Sequence, residues 1–221
     1  MSSGEVIGEV TLYLGNATYA ALALIALWGT FSAIMLLRRI SRSRFRTEQE
    51  QDAFLDRVDE SLGSGSFEGV AELCRGDPRA VPQLIQLAIA NRSIGFSKVR
   101  ALVAERFQRD FLSDLEYRLS WVYTVIRTAP MLGLLGTVAG MMSAFSQLAT
   151  RKQVSPEDLA GDISLALITT IIGLCIAIPL MITAAGITVR MRKLEDLVGA
   201  GLTRFMDALK QVMTSGARRR M

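Results

Sequence analysis

The chain has 221 residues, 50% of them apolar and 21% charged, with a net charge of +4 and a mean hydropathy of +0.32. That balance excludes a uniformly soluble domain and describes apolar blocks set between polar ones. The absence of histidine also excludes a histidine metal site and a histidine general base.

Residues 1–17 precede the first apolar block and contain no Lys or Arg. The block itself, 18–37, is free of charge and long enough for a hydrocarbon core of about 30 Å. A secretory signal carries its basic residues before the apolar stretch. Here Glu5 and Glu9 come before it and Arg38, Arg39, Arg42, Arg44 and Arg46 after it, so the block is expected to be a retained first span.

Residues 38–127 form the next segment. Phe54, Leu55, Val58 and Leu62 have helical spacing, which predicts a charged helix over 48–62. Gly63, Ser64, Gly65 and Ser66 break it, Pro78 and Pro82 punctuate the stretch beyond, and 80–91 reads as a short helix. From Phe96 the apolar residues Val99, Val103, Phe107, Phe111, Leu115, Leu119 and Val122 recur at steps of three or four. With no Gly or Pro between Ser97 and Ala129, one helix is expected from there to Ala149, about 53 residues and ~80 Å long.

The second span, 128–150, carries Gly133, Thr137, Gly140 and Ala144 on one face, and Gly136 with Gly140 forms a GxxxG. A short loop, 151–162, leads to the third span, 163–189. That span repeats the construction in Ala166, Thr170, Gly173 and Ala177, with Thr169 beside Thr170. Pro130 and Pro179 each remove a backbone bond and are expected to bend their helices. Residues 190–221 continue as an amphipathic helix through Leu194, Val198, Leu202, Phe205, Leu209 and Val212. Long apolar stripes of this kind need partners, which are each other and neighbouring copies.

Of the 25 Lys and Arg, 23 lie in 38–127 or 190–221. Cytoplasmic flanks of membrane spans collect these residues, so both segments are expected in the cytoplasm and the N-terminus and loop 151–162 outside. Arg39 and Arg190 abut spans. The basic excess therefore serves orientation, and the expected partner is the lipid bilayer and not nucleic acid. Cys74 and Cys175 fall in different compartments by this topology, which excludes a disulfide between them.

Two small faces, each with a hydroxyl, support two readings. They can pack helices closely, with Thr137 bonded to its own i−4 carbonyl, in a non-conducting scaffold. They can also line an ion pathway, since hydroxyls replace part of a hydration shell without burying a charge. An ion-driven machine needs an ionisable group at membrane depth, and none lies in the three windows. Either the chain is no such machine or another subunit supplies the carboxylate. Nothing here makes an enzyme site, and three spans without an inverted repeat do not make a secondary transporter.

Ala129, Pro130, Gly133, Leu134, Leu135, Gly136, Thr137, Val138, Gly140 and Met141 resemble the APxxGLLGTVxGM motif of the MotA/TolQ/ExbB proton-channel family. Ile163, Ala166, Leu167, Thr170, Gly173, Leu174, Ala177, Ile178 and Pro179 resemble its IxxALxxTxxGLxxAIP motif. The likeness is greatest to the ExbB/TolQ branch and covers most of 80–210. It implies an all-α membrane protein with long cytoplasmic helical extensions, assembled as a homopentameric ring in a bacterial inner membrane. Thr137 and Thr170, with Thr169 beside them, would line the pore. Gly133, Gly136, Gly140, Ala166, Gly173 and Ala177 would pack the pore helices. The resemblance also implies a single-span ExbD/TolR-like partner whose aspartate carries the translocated H+, with Na+ as the alternative ion and no bound cofactor or metal. Many relatives have a glutamate where this chain has Leu165, so no role for that carboxylate carries over.

Overall fold

The computed structural model describes residues 3–150 and 155–218, and every regular element among them is helical. Arg151 and Lys152, the basic residues of the expected loop 151–162, lie outside the described residues. The elements are α1 (Ser3–Ser43), α2 (Glu48–Gly63), α3 (Phe67–Cys74), α4 (Ala80–Ala90), α5 (Phe96–Phe107), α6 (Ser113–Thr150) and α7 (Pro156–Arg218). A 3-10 turn, Arg92–Ile94, precedes α5, and a π turn, Gln108–Leu112, joins α5 to α6. Among the described residues, three helices are long and apolar enough to cross a membrane. Helix α7 continues through Pro179, as α6 does through Pro130.

The residues form two compact units. The first takes in α1 as far as Ile34 together with Leu119–Gly186. Its helices touch through small residues. A Cβ added at Gly29 would lie 2.7 Å from Val125 Cγ1 and 2.8 Å from Leu180 Cδ1, so α1 comes close to both other helices. Trp28 and Trp121 meet edge to face at 6.4 Å, and the Tyr19 hydroxyl donates to the Leu165 carbonyl at 3.0 Å. Outside these contacts the unit presents large apolar side chains, among them Leu27, Met131, Phe145 and Ile182. Such a surface suits lipid or other membrane helices as its solvent.

The second unit comprises Met35–Arg118 and α7 from Ile187 onward. Thr47 caps α2, its hydroxyl accepting from Glu50 N at 3.2 Å, while Glu50 accepts in turn from Arg46 N at 3.1 Å. Phe54, Leu55, Val58 and Leu62 are buried, as their spacing predicts. Helix α3 was not expected: Gly63 to Pro78 reads as turns, yet Ser66 caps Gly69 N at 3.1 Å and Val70 and Cys74 form the buried face of the helix. Gly76 and Gly95 adopt φ of 75° and 93° at the turns that follow α3 and precede α5, a region that favours glycine.

Buried Gln51 donates to the Leu197 carbonyl at 2.7 Å. That approach needs Gly201, where a Cβ would lie 2.7 Å from Gln51 Nε2. Arg204 donates to Asp56 and to Asp59, the latter at 2.7 Å, which ties α7 to α2.

The π turn explains how one long helix keeps its buried face. Val103, Phe107, Phe111 and Leu115 are spaced by fours, and each step of four overruns a turn of about 3.6 residues. A π turn takes up the surplus. Val99, Val103 and Leu115 are buried, whereas Phe107 and Phe111 beside the π turn are half-buried.

Candidate functional site

The two small stripes face each other. Helices α6 and α7 run antiparallel, so successive glycines of α6 meet successive residues of α7 in reverse order. A Cβ at Gly140 would lie 2.5 Å from Ala166 Cβ. One at Gly136 would lie 2.5 Å from Thr169 Oγ1, and one at Gly133 would lie 2.7 Å from the Thr169 carbonyl oxygen. From the other side, a Cβ at Gly173 would lie 2.6 Å from the Ala129 carbonyl oxygen and 3.3 Å from Pro130 Cα. Larger residues at these four positions would hold the backbones apart. Ala177 is buried farther along α7, and Pro179 is exposed.

This approach gathers three threonines around one backbone oxygen. The Gly133 carbonyl lies 3.0 Å from Thr137 Oγ1, 2.9 Å from Thr169 Oγ1 and 3.1 Å from Thr170 Oγ1. Thr137 and Thr170 also hydrogen-bond to each other at 2.8 Å. Thr169 has a second acceptor in the Ala166 carbonyl at 2.7 Å. Each hydroxyl carries one proton, so these contacts outnumber the protons available to make them. The hydroxyls therefore have alternative donor arrangements, and in each some oxygen lone pairs remain open.

Thr137 and Thr169 are buried, and Thr170 is half-buried. Thr170 is thus the hydroxyl of the three with a face toward the surroundings of the chain. The cluster offers rotatable, uncharged oxygen ligands and exchangeable protons. It offers no charge, because Asp, Glu, Lys, Arg and His are absent from the apolar windows of all three spans. No group of metal ligands occurs among the described residues. Sequence spacing identifies the three threonines and the glycines. It does not identify the Gly133 carbonyl they share, because a backbone acceptor leaves no residue type to read.

A profile of the MotA/TolQ/ExbB proton channel family matches residues 89–199, which contain the whole cluster. The chain is 33% identical over 172 residues to a homolog of the biopolymer transport protein ExbB from Methanothermobacter thermautotrophicus, covering 76% of this chain and 59% of the relative. It is 36% identical over 98 residues to the Tol-Pal system protein TolQ of Haemophilus influenzae, covering 44% and 43%. It is 38% identical over 69 residues to the biopolymer transport protein ExbB of Helicobacter pylori, covering 31% and 48%. The matched region thus spans about half the length of these relatives.

Proposed function

This chain belongs to the MotA/TolQ/ExbB proton channel family, and from that premise we propose that it is the ion-pathway subunit of an inner-membrane motor. Copies of the chain, five by family resemblance, form a ring whose second and third spans surround a pore. The ring uses proton motive force, with sodium as the alternative ion, to drive an ExbD/TolR-like single-span partner that acts on the cell envelope. The relatives' names, ExbB and TolQ, support this assignment. The N-terminus lies outside, and segments 38–127 and 190–221 lie in the cytoplasm, in keeping with the distribution of Lys and Arg.

The observation that carries the reading is the Thr137–Thr170 pair over the Gly133 carbonyl. A cation entering hydrocarbon needs oxygen ligands and a counter-charge. The cluster supplies the first and lacks the second, so it is half of an ion site. The other half is a carboxylate on the partner helix, which binds the ion at Thr170 and releases it as the partner moves.

One observation favours a second reading, a non-conducting scaffold. The same threonines sit where glycines bring the two backbones together, and each bonds to a backbone carbonyl. Valine has the shape of threonine without its hydroxyl, so it separates the two. In a complementation assay, Thr137→Val and Thr170→Val should abolish energy-dependent function while the complex still assembles, and Thr170→Ser should restore it. Full activity in both valine variants would leave the threonines as packing residues.

A further inference from the structure

Around the end of α1, arginines outnumber the acidic residues that could pair with them. An open cleft of about 760 Å³ in the second unit is walled by this end of α1, the turn that follows it and the turn after α3. Arg42, Arg44, Arg46, Arg75 and Arg79 line it, against two carboxylates, Glu50 and Asp77. One cation takes both carboxylates. Arg79 donates to Glu50 at 2.7 Å and, through Nε and Nη2, to Asp77. The Arg79 guanidinium also lies over the Phe45 ring, 3.8 Å from its centroid, and Phe45 is buried against Phe54. That buried ring pins the turn, and the residues on either side of it, Arg44 and Arg46, both line the cleft.

Arg42, Arg44 and Arg46 are left over. Among the described residues no carboxylate pairs with their guanidiniums, and Arg44 is half-buried. Arg75 meets Glu72 at 3.0 Å, but both side chains are largely exposed, so the pair contributes little. Like charges gathered in one cleft repel, and an anion placed among them turns that repulsion into attraction. Depth identifies the anion. Arg42 lies five helical positions beyond Leu37, the last residue of the charge-free window, about 7–8 Å along the axis. The headgroup layer outside the hydrocarbon core is about 5–8 Å thick on each side, so Arg42 stands at the level of lipid phosphates. The lining suits a phosphate and not a nucleoside. Leu73 and Pro78 are its apolar members and none of its residues is aromatic, so no ring is offered on which a base could stack.

We propose that this cleft binds the phosphate of an anionic phospholipid headgroup, drawn from the leaflet at the C-terminal end of α1. Arg42, Arg44 and Arg46 supply forked donors that match phosphate oxygens. The Glu50–Arg79–Asp77 linkage keeps the cleft's own carboxylates occupied and holds its walls together. Such a site differs from the general attraction of a basic flank to lipid, which acts through charge alone. A site distinguishes one headgroup from another, and arginine from lysine. The proposal rests on α1 crossing the membrane and not on the role given to the threonines.

The test is native mass spectrometry of the full chain released from nanodiscs of phosphatidylcholine doped with phosphatidylglycerol. Wild-type protein should retain phosphatidylglycerol in preference to phosphatidylcholine. Arg42→Gln, Arg44→Gln and Arg46→Gln combined should lower that retention roughly tenfold or more. The combined Arg42→Lys, Arg44→Lys and Arg46→Lys variant keeps the charge that orients the span but loses the forked geometry. It should lower retention several-fold, with the oligomer mass and unfolding midpoint unchanged. Arg190, Arg192 and Lys193, which follow the third span, give the control. Replacing all three by Gln removes the same charge and should leave retention as it is. Equal retention of both lipids by the wild type, full retention in the Gln variant of the cleft, or an equal loss in the control overturns the proposal. Displacement of the lipid by inorganic phosphate overturns the lipid as the source of the anion. Loss of an accompanying protein chain with no loss of lipid makes the cleft a protein-docking surface and overturns it too. Inactivity of the threonine variants bears on none of these outcomes.

Discussion

At Gly136 the contact between α6 and α7 leaves no room for a methyl group, since a Cβ there would lie 2.5 Å from Thr169 Oγ1 and 2.8 Å from Thr169 Cβ. Gly136→Ala and Gly140→Ala should each destabilise the protein by about 1–3 kcal/mol through overpacking, read as a lower unfolding midpoint in detergent. Gly199, whose Cβ would meet nothing within 4 Å, is the control. Gly199→Ala should leave stability unchanged or raise it by about 0.5–1 kcal/mol. Cys74 gives a second residue-scale prediction. Burial, aided by the negative charge of Asp77, pushes its thiol up to about 12. It stays protonated and inert at pH 8, so a maleimide should modify Cys74 only after unfolding, as peptide mapping would report. Rapid labelling of Cys74 in the folded protein would contradict this packing. The threonines and glycines of the site are legible as a stripe in the sequence because side-chain spacing fixes which residues share a helix face. That the stripes face one another, with three hydroxyls converging on Gly133 O, depends on how two helices meet and is not.

At the scale of elements, two ties fix the helices of the second unit. Arg204 bridges Asp56 and Asp59, and the second oxygen of Asp59 is buried without a hydrogen-bond partner among the described residues. Arg204→Met should therefore cost about 1 kcal/mol, a modest figure because the guanidinium is partly exposed to screening solvent. Asp59→Asn in that background should recover part of it, measured by chemical unfolding. The turn after α3 holds the other tie. Burial raises the Asp77 carboxyl, but hydrogen bonds from the Arg79 side chain and backbone outweigh it and hold the group below the usual carboxylate range. A depressed folded-state value gives stability that is full above the unfolded value and is lost as pH falls through the folded one. The Asp77–Arg79 contribution should thus be constant at neutral pH and disappear only below about pH 4. Arg79→Gln should flatten that acid limb of the stability profile. Helices α2 and α4 follow from periodicity, while α3 hides in a stretch rich in turn residues, where its cap Ser66 and the spacing of Phe67, Val70 and Cys74 are the signals that could have revealed it. The π turn carries no Gly or Pro, and only the drift of a stripe spaced by fours hints at it.

For the whole molecule, three charge-free windows made the membrane spans legible, because a bilayer imposes length and apolarity on any helix that crosses it. The proposed motor also makes a statement about its ion. If protons drive it, replacing sodium with choline should leave function unchanged, whereas loss of function would point to sodium at the threonine oxygens. The most direct test of the central claim is proton flux in native membrane vesicles that hold the full chain with its partner, followed with a pH-sensitive dye. Thr137→Val and Thr170→Val should each reduce the flux roughly tenfold or more, the cost of losing a hydrogen bond to a charged species, with the complex intact. Wild-type flux in both variants would contradict the account.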